Sequence, residues 1–391
     1  MTTASPHDPP ILPRGFRCMS RNCGLKPQAP DLALFVSDVD ANAAAVFTCN
    51  HFPGAPILLG RETIRAGRLR AIVANSRVSN VATGERGLQN ARRMAAAAAT
   101  EIGTTPDRVL VSSTGVIGIH LPIEKIETGL HGAAALLQPD PLIGAAGIMT
   151  TDSHPKALSF AIGGATLSLV AKGAGMIQPN MATMLVYIFT DARIEAASLD
   201  RMLRSTVHDT FNMLSIDTDT STSDTCAIMA NGLAGPIDER EFAAVLTHAC
   251  TSLTEVLARD GEGATKLLRA DVRGATSEDD ARTIARSIIN SPLIKTMAFG
   301  ADPNVGRLLM AIGKCFDCAV RPDTTDAWIN GTHVIHHGQR TDFPDETLRD
   351  VLRGDPVHIE VDLGIGSGTA TARGCDLTAG YIDENAAYYS S

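Results

Sequence analysis

The sequence predicts a mixed α/β protein. Short β-branched or apolar runs recur along the chain, and stretches with apolar residues at helical spacing alternate with them. Of the 391 residues, 44% are hydrophobic and 20% charged, so there is material for a large core and wholesale disorder is excluded. Aromatics are only 4%, which leaves Ala, Leu, Val and Ile to fill that core.

The strands and helices follow in order. Residues 44–48 (AAVFT) and 108–113 (RVLVSS) are short, β-branched and strand-like. Residues 90–102 are rich in helix formers and stop at Gly103. Residues 158–171 read as two strands broken by a Gly163-Gly164 turn. Residues 183–190 form a continuous apolar run, as in a buried strand. Leu199, Met202, Leu203 and Val207 mark a helix face with Ser198 as its expected N-cap. Phe242, Val245, Leu246, Ala249, Leu253, Val256 and Leu257 mark a second face. Ser277 and Asp280 resemble a capping box ahead of a helix at 278–289, and 357–363 alternate as a strand does.

Length alone suggests two domains, or one with two halves, at roughly 150 residues per domain. No short-period repeat or linker cuts the interior. The net charge of −9 gives no general attraction for nucleic acid or anionic lipid. No apolar run reaches the ~20 residues that span a bilayer, and the first residues lack a secretory pattern. Eight cysteines are too sparse for a disulfide framework, so a cytoplasmic chain with reduced thiols is expected.

Several motifs are weak. Cys315 and Cys318 form a lone CxxC without a second pair. His333, His336 and His337 cluster without an acidic ligand at a recognised spacing and read as a solvated loop, so no metal is expected. GIGSG (364–368) lacks the Lys-Ser/Thr of a phosphate loop and reads as close strand packing.

Three segments are more informative. Residues 172–185 (KGAGMIQPNMATML) run from a Gly- and Pro-containing stretch into a buried strand, with Thr183 at the junction. A Thr there is either a β-former at a strand end or a hydroxyl with a task. In 112–118 a Gly turn follows a strand; it is an ordinary turn, or one that aims N–H groups and a hydroxyl at one point. Residues 217–225 are dense in hydroxyls and carboxylates, a polar loop or a weak cation site without EF-hand spacing.

Taken together, STGVIG (113–118), IMTTD (148–152), KGAGMIQPNMATML (172–185), SIDTDTSTSDT (215–225), DGEGATKL (260–267), NSPLIKTMAFGADPNVGR (290–307) and GCDLTAGYI (374–382) resemble the ornithine acetyltransferases, or bifunctional glutamate N-acetyltransferases. The resemblance runs from residue 31 to the C-terminus. It implies an α/β fold with β-sheets layered between helices, of the self-cleaving N-terminal-nucleophile-like kind. It implies cleavage at Ala182–Thr183 into an α chain, 1–182, and a β chain, 183–391, assembled as two copies of each. Thr183 would then be the nucleophile, passing acetyl from N-acetylornithine to glutamate and releasing ornithine. An N-terminal Thr carries its own base, an amine of pKa roughly 7.7–8.0.

Thr114 and Gly115 match the family's oxyanion pair. Thr150, Lys172, Glu262, Asn385 and Ser390 match its substrate contacts, where Lys172 suits a carboxylate and Glu262 an ammonium. No cofactor is implied. The chain departs from the family pattern at Val305, usually Trp, at Arg77, usually a small Gly, and at Ser390, usually Thr. Val305 and Arg77 bear on the choice of acceptor, and a paralogue serving a specialised pathway would keep the same chemistry with a different acyl acceptor. Two other readings share some of these features: an amidohydrolase or aminopeptidase using the same nucleophile, and a non-catalytic small-molecule binding protein.

Overall fold

The computed structural model describes residues 5–178 and 184–386. Fifteen strands lie among the described residues. They are β1 (Phe16–Arg21), β2 (Leu32–Phe47), β3 (Arg68–Asn75), β4 (Val109–Ser113), β5 (Lys156–Ile162), β6 (Ala165–Lys172), β7 (Leu185–Arg193), β8 (Leu214–Ser215), β9 (Thr225–Pro236), β10 (Leu267–Ala275), β11 (Asp326–Ile329), β12 (Thr332–His336), β13 (Gln339–Arg340), β14 (Val357–Asp362) and β15 (Gly368–Cys375).

The chain divides into two compact units. Unit 1 comprises Met1–Gly173, Pro179–Asn212 and Thr220–Leu253; unit 2 comprises Ala174–Gln178, Met213–Asp219 and Thr254–Ser391. These are not the stretches 1–182 and 183–391. Strands from both stretches pair in the unit 1 sheet, β6 with β7 and β2 with β9.

Unit 1 is built on a mixed sheet ordered β4-β3-β2-β9-β7-β6-β5, with β1 paired to β2. Side chains on a strand alternate between faces. Leu32, Leu34 and Val36 of β2 therefore pack with Val73, Val111 and with Ala91, Met94 and Ala98 of the helix Gly84–Ile102. Ala33 and Phe35 pack on the other side with Tyr187, Phe189 and with Ala145 and Ile148 of the helix Pro141–Ile148. Apolar residues on both faces are what a sheet covered on both sides requires.

Unit 2 holds a second mixed sheet, ordered β13-β12-β11-β14-β10-β15-β8. Leu268, Ala270 and Val272 of β10 bury one face against Ile284 and Ile288 of the helix Glu278–Asn290, with Met297 and Leu308 in the same core. The expected α/β class, with sheets packed on helices, is what each unit displays.

Most local expectations hold. The helix through 90–102 starts earlier, at Gly84, and ends where Gly103 turns left-handed at φ +69. Gly163 and Gly164, at φ +49 and +86, turn β5 into β6. The Ser277 hydroxyl accepts from the Asp280 N–H at 3.1 Å. The three glycines of 364–368 sit against backbone: a Cβ on Gly368 would lie 2.1 Å from the Ser277 oxygen.

Two expectations change. The helix Ala196–Asp209 has Glu195 at its N-cap, so Ser198 lies inside the first turn, where its hydroxyl accepts from Arg201. Only His337 lies in an exposed turn: His333 and His336 belong to β12, and the hairpin with β11 brings Asp326 to 3.1 Å from His336.

Candidate active site

The Thr114–Gly115 turn follows directly from the pairing of β3 with β4. The strands run parallel and end together at Asn75 and Ser113. Asn75 then fixes the exit: its carboxamide oxygen accepts from the Ser113 hydroxyl at 2.6 Å, and its backbone oxygen accepts from the Thr114 N–H at 3.0 Å. The next donor in line, Val116 N–H, goes to the Arg77 oxygen at 2.9 Å. Gly115 lies between them at φ +123, a conformation that side chains resist. Its N–H has no acceptor among the described residues. Gly115 is half-buried, and a turn of this kind can present a free N–H to an external oxyanion.

Lys172, the last residue of β6, is buried and donates to the Thr114 hydroxyl oxygen over a long 3.4 Å. That contact leaves the hydroxyl proton of Thr114 available to donate elsewhere. Behind Lys172 lies Asp152, which the sequence did not single out. Its carboxylate pairs with Lys156 at 2.6 Å, with both side chains fully buried, and accepts from Gly173 N–H at 2.6 Å and Thr150 N–H at 2.9 Å. Burial alone raises such a carboxyl. Here the charges of Lys172 and Lys156 and the Gly173 N–H outweigh burial and hold Asp152 below the usual carboxylate range.

Lys26 was also missed. Its ammonium donates to the oxygens of Met149 at 2.7 Å and Pro30 at 3.0 Å. Burial lowers its pKa, with Lys172 and Arg77 acting in the same direction against Asp31 and Asp152. Lys26, Lys172, Lys156 and Arg77 thus act against two carboxylates, an excess of positive charge suited to an anionic group.

Unit 2 carries the opposite balance. Glu262 is buried, donates its N–H to the Ala174 oxygen at 2.8 Å, and accepts from the Asn385 carboxamide at 2.7 Å. Gly175 makes room for this carboxylate, since a Cβ there would meet the Glu262 Cδ at 2.3 Å. Asp217 accepts from Ile177 N–H at 2.8 Å and from the Tyr381 hydroxyl at 3.4 Å. Burial, together with the charges of Asp217, Glu262 and Asp219, pushes the Tyr381 phenol up to about 12. Glu384 is raised by burial and then by Glu262. This group favours a cation.

The structure therefore brings Thr114, Gly115, Thr150 and Lys172 together in unit 1, and Glu262 with Asn385 in unit 2. Ala182, Thr183 and Ser390 lie outside the described residues. Val305 is a core residue of unit 2, 3% exposed, packed in the same apolar cluster as Met297 and Leu308. No helix among the described residues is long and apolar enough to cross a membrane.

The same arrangement of segments recurs in known proteins. The chain is 43% identical over 380 residues to the arginine biosynthesis bifunctional protein ArgJ of Rhodococcoides fascians, covering 96% of this chain and 94% of the relative. It is 42% identical over 389 residues to the glutamate N-acetyltransferase Oat2 of Streptomyces clavuligerus, covering 97% and 98%. The crystal structure of arginine biosynthesis bifunctional protein argJ from Bacillus halodurans superposes with a TM-score of 0.50 at 40% identity, covering 52% of this chain and 98% of that one. A profile of the ArgJ family matches residues 17–390, and with likeness of this extent the chain belongs to the ArgJ family.

Proposed function

We propose that this chain is a self-processing acetyltransferase that moves an acetyl group from N-acetylornithine to glutamate through an acetyl ester on Thr183. The observation that carries the reading is the Thr114–Gly115 turn, with an unpartnered N–H and a hydroxyl held by Lys172. Leu185, two residues after Thr183 in sequence, pairs with Lys172 across β6 and β7. The strand that follows the proposed nucleophile thus begins beside the residue that reaches Thr114.

In maturation, the Thr183 hydroxyl attacks the Ala182 carbonyl carbon, the peptide C–N bond breaks, and an ester forms. Water opens the ester, leaving an Ala182 carboxylate and a free Thr183 amine. In each transfer that amine takes the hydroxyl proton as the oxygen attacks the acetyl carbon. The tetrahedral oxyanion is met by the Thr114 hydroxyl and the Gly115 N–H, and loss of one such donor lowers the rate by about 10²–10³. Ornithine leaves with the proton, and the glutamate amine then attacks the ester.

Substrate binding follows from charge. The positive group around Lys172 takes the carboxylate that both amino acids share. Glu262, held by Asn385, takes an ammonium. Thr150 and Ser390 complete the contacts. The fragments 1–182 and 183–391 stay together because they share the unit 1 sheet, and they assemble as two copies of each. The length of the solved Bacillus halodurans chain, about half of this one, accords with separate fragments.

Initial rates test the reading. With N-acetylornithine varied at several glutamate concentrations, parallel double-reciprocal lines are expected. Intersecting lines would replace the acetyl-enzyme with direct transfer. Acetate release that ignores glutamate would make the protein a hydrolase.

A further inference from the structure

We propose that Asp326, His333 and His336 bind a divalent transition-metal ion of the Zn²⁺ class, at a site separate from the acetyl-transfer residues. The hairpin of β11 and β12 turns at Asn330-Gly331, both at positive φ. Its register shifts once: Trp328 pairs with His333, but Ala327 pairs with Ile335. That bulge inserts one extra residue into β12. Residues three apart on a regular strand point to opposite faces, and the insertion returns His333 and His336 to the same face as Asp326.

The donor atoms converge. His336 Nδ1 lies 3.1 Å and His333 Nε2 3.9 Å from Asp326 Oδ1. One ligand atom from each of the three residues lies within 4.8 Å of the others. Around a tetrahedral ion with bonds near 2.0–2.1 Å, ligand atoms stand about 3.3 Å apart, so small side-chain rotations close the set. His333 Nε2 is enclosed and has no hydrogen-bond partner among the described residues. An enclosed ring nitrogen without a partner is a standing deficit that a metal would remove.

The supports are in place. Asp326 Oδ1 accepts from the His337 N–H at 2.8 Å, and the His333 ring stacks on Trp328 with centroids 4.8 Å apart. The Arg273 guanidinium lies 5.3 Å from the centroid of the Trp328 ring and is engaged by Asp362 at 2.8 Å. Two imidazoles and one carboxylate select Zn²⁺, Co²⁺, Ni²⁺ or Cu²⁺ over Mg²⁺ and Ca²⁺. Three protein ligands leave a position for water.

Trp328 is the only tryptophan in the chain, so it reports on this site directly. Tag-free, chelator-stripped protein is titrated with Co²⁺ while Trp328 fluorescence is followed. Saturable one-to-one quenching is expected, reversed by Zn²⁺ and not by Mg²⁺. His336→Asn changes a side chain that is 55% exposed and leaves the fold unburdened. It is expected to weaken Co²⁺ binding by more than the roughly 10–100-fold that loss of a supporting residue causes. Circular dichroism checks that the variant is folded, and calorimetry with Zn²⁺ gives a second affinity. Quenching that never saturates, or equal affinity in wild type and His336→Asn, would overturn the site.

Discussion

Gly115 and Arg77 meet backbone to backbone. A Cβ on Gly115 would lie 2.2 Å from the Arg77 carbonyl carbon, and both residues hold positive φ, +123 and +82. Gly115→Ala therefore cannot keep this turn. We expect a stability loss of about 1–3 kcal/mol from the backbone conformation alone, and more from the overlap. Acetyl transfer should fall by about 10²–10³, the effect of losing one oxyanion donor. Chemical denaturation and steady-state rates on the same variant check both numbers. Wild-type kcat would remove Gly115 from the mechanism.

Its own φ of +82 makes Arg77 a strained residue. A non-glycine residue in the left-handed region is disfavoured by roughly 1–2 kcal/mol, while glycine loses about 0.5–1 kcal/mol more chain entropy on folding. Arg77→Gly should leave stability unchanged or raise it by up to about 1.5 kcal/mol. Its charge also presses on Lys26. Removing it should raise the Lys26 pKa, readable by NMR of the labelled ammonium. A downward move would contradict the electrostatic picture.

Asp152→Asn leaves Lys156 buried without its carboxylate. Breaking a buried pair from one side typically destabilises by 3–5 kcal/mol. The pH dependence has a definite sign. Asp152 has its folded pKa depressed, so its contribution is present above the unfolded value of about 3.9 and is lost as pH falls towards the folded value. The gap between wild type and variant should shrink as pH drops below about 5. A gap that stays constant over that range would assign the loss to packing.

Val305→Trp separates packing from specificity. Val305 is enclosed in the unit 2 core, so a larger ring overfills it. We expect a loss of about 1–3 kcal/mol and an unchanged ranking of acetyl acceptors. A shift in that ranking towards glutamate would show that this position shapes the substrate site after all.

Features set by neighbouring residues were legible in the sequence. Gly103 ends its helix, Gly163-Gly164 turn a hairpin, and Ser277 caps Asp280, because each acts within a few residues. The Thr114–Gly115 turn was legible as a motif. What escaped notice depends on distant segments. Lys26 meets the Met149 oxygen across 123 positions, and Asp152 gains its meaning from Lys156, Gly173 and Lys172 together. The bulge that brings Asp326 beside the histidines leaves no mark in a pattern of alternating residues. Ser198 misled because a serine ahead of an apolar face suits both a cap and a first turn.

Lys172→Met separates binding from maturation. KM should rise for both N-acetylornithine and glutamate, since the charge is used in both half-reactions. Cleavage at 182/183 should survive. Loss of cleavage would give Lys172 a part in the maturation chemistry.

The most direct measurement is the denatured mass of the purified protein, before and after incubation with N-acetylornithine alone. We expect two fragments, 1–182 and 183–391, and one added acetyl group on 183–391 that disappears when glutamate is supplied. Thr183→Ala should give only the intact 41.1 kDa chain. Cleavage that persists in Thr183→Ala, or an acetyl group that never appears on 183–391, would contradict the account.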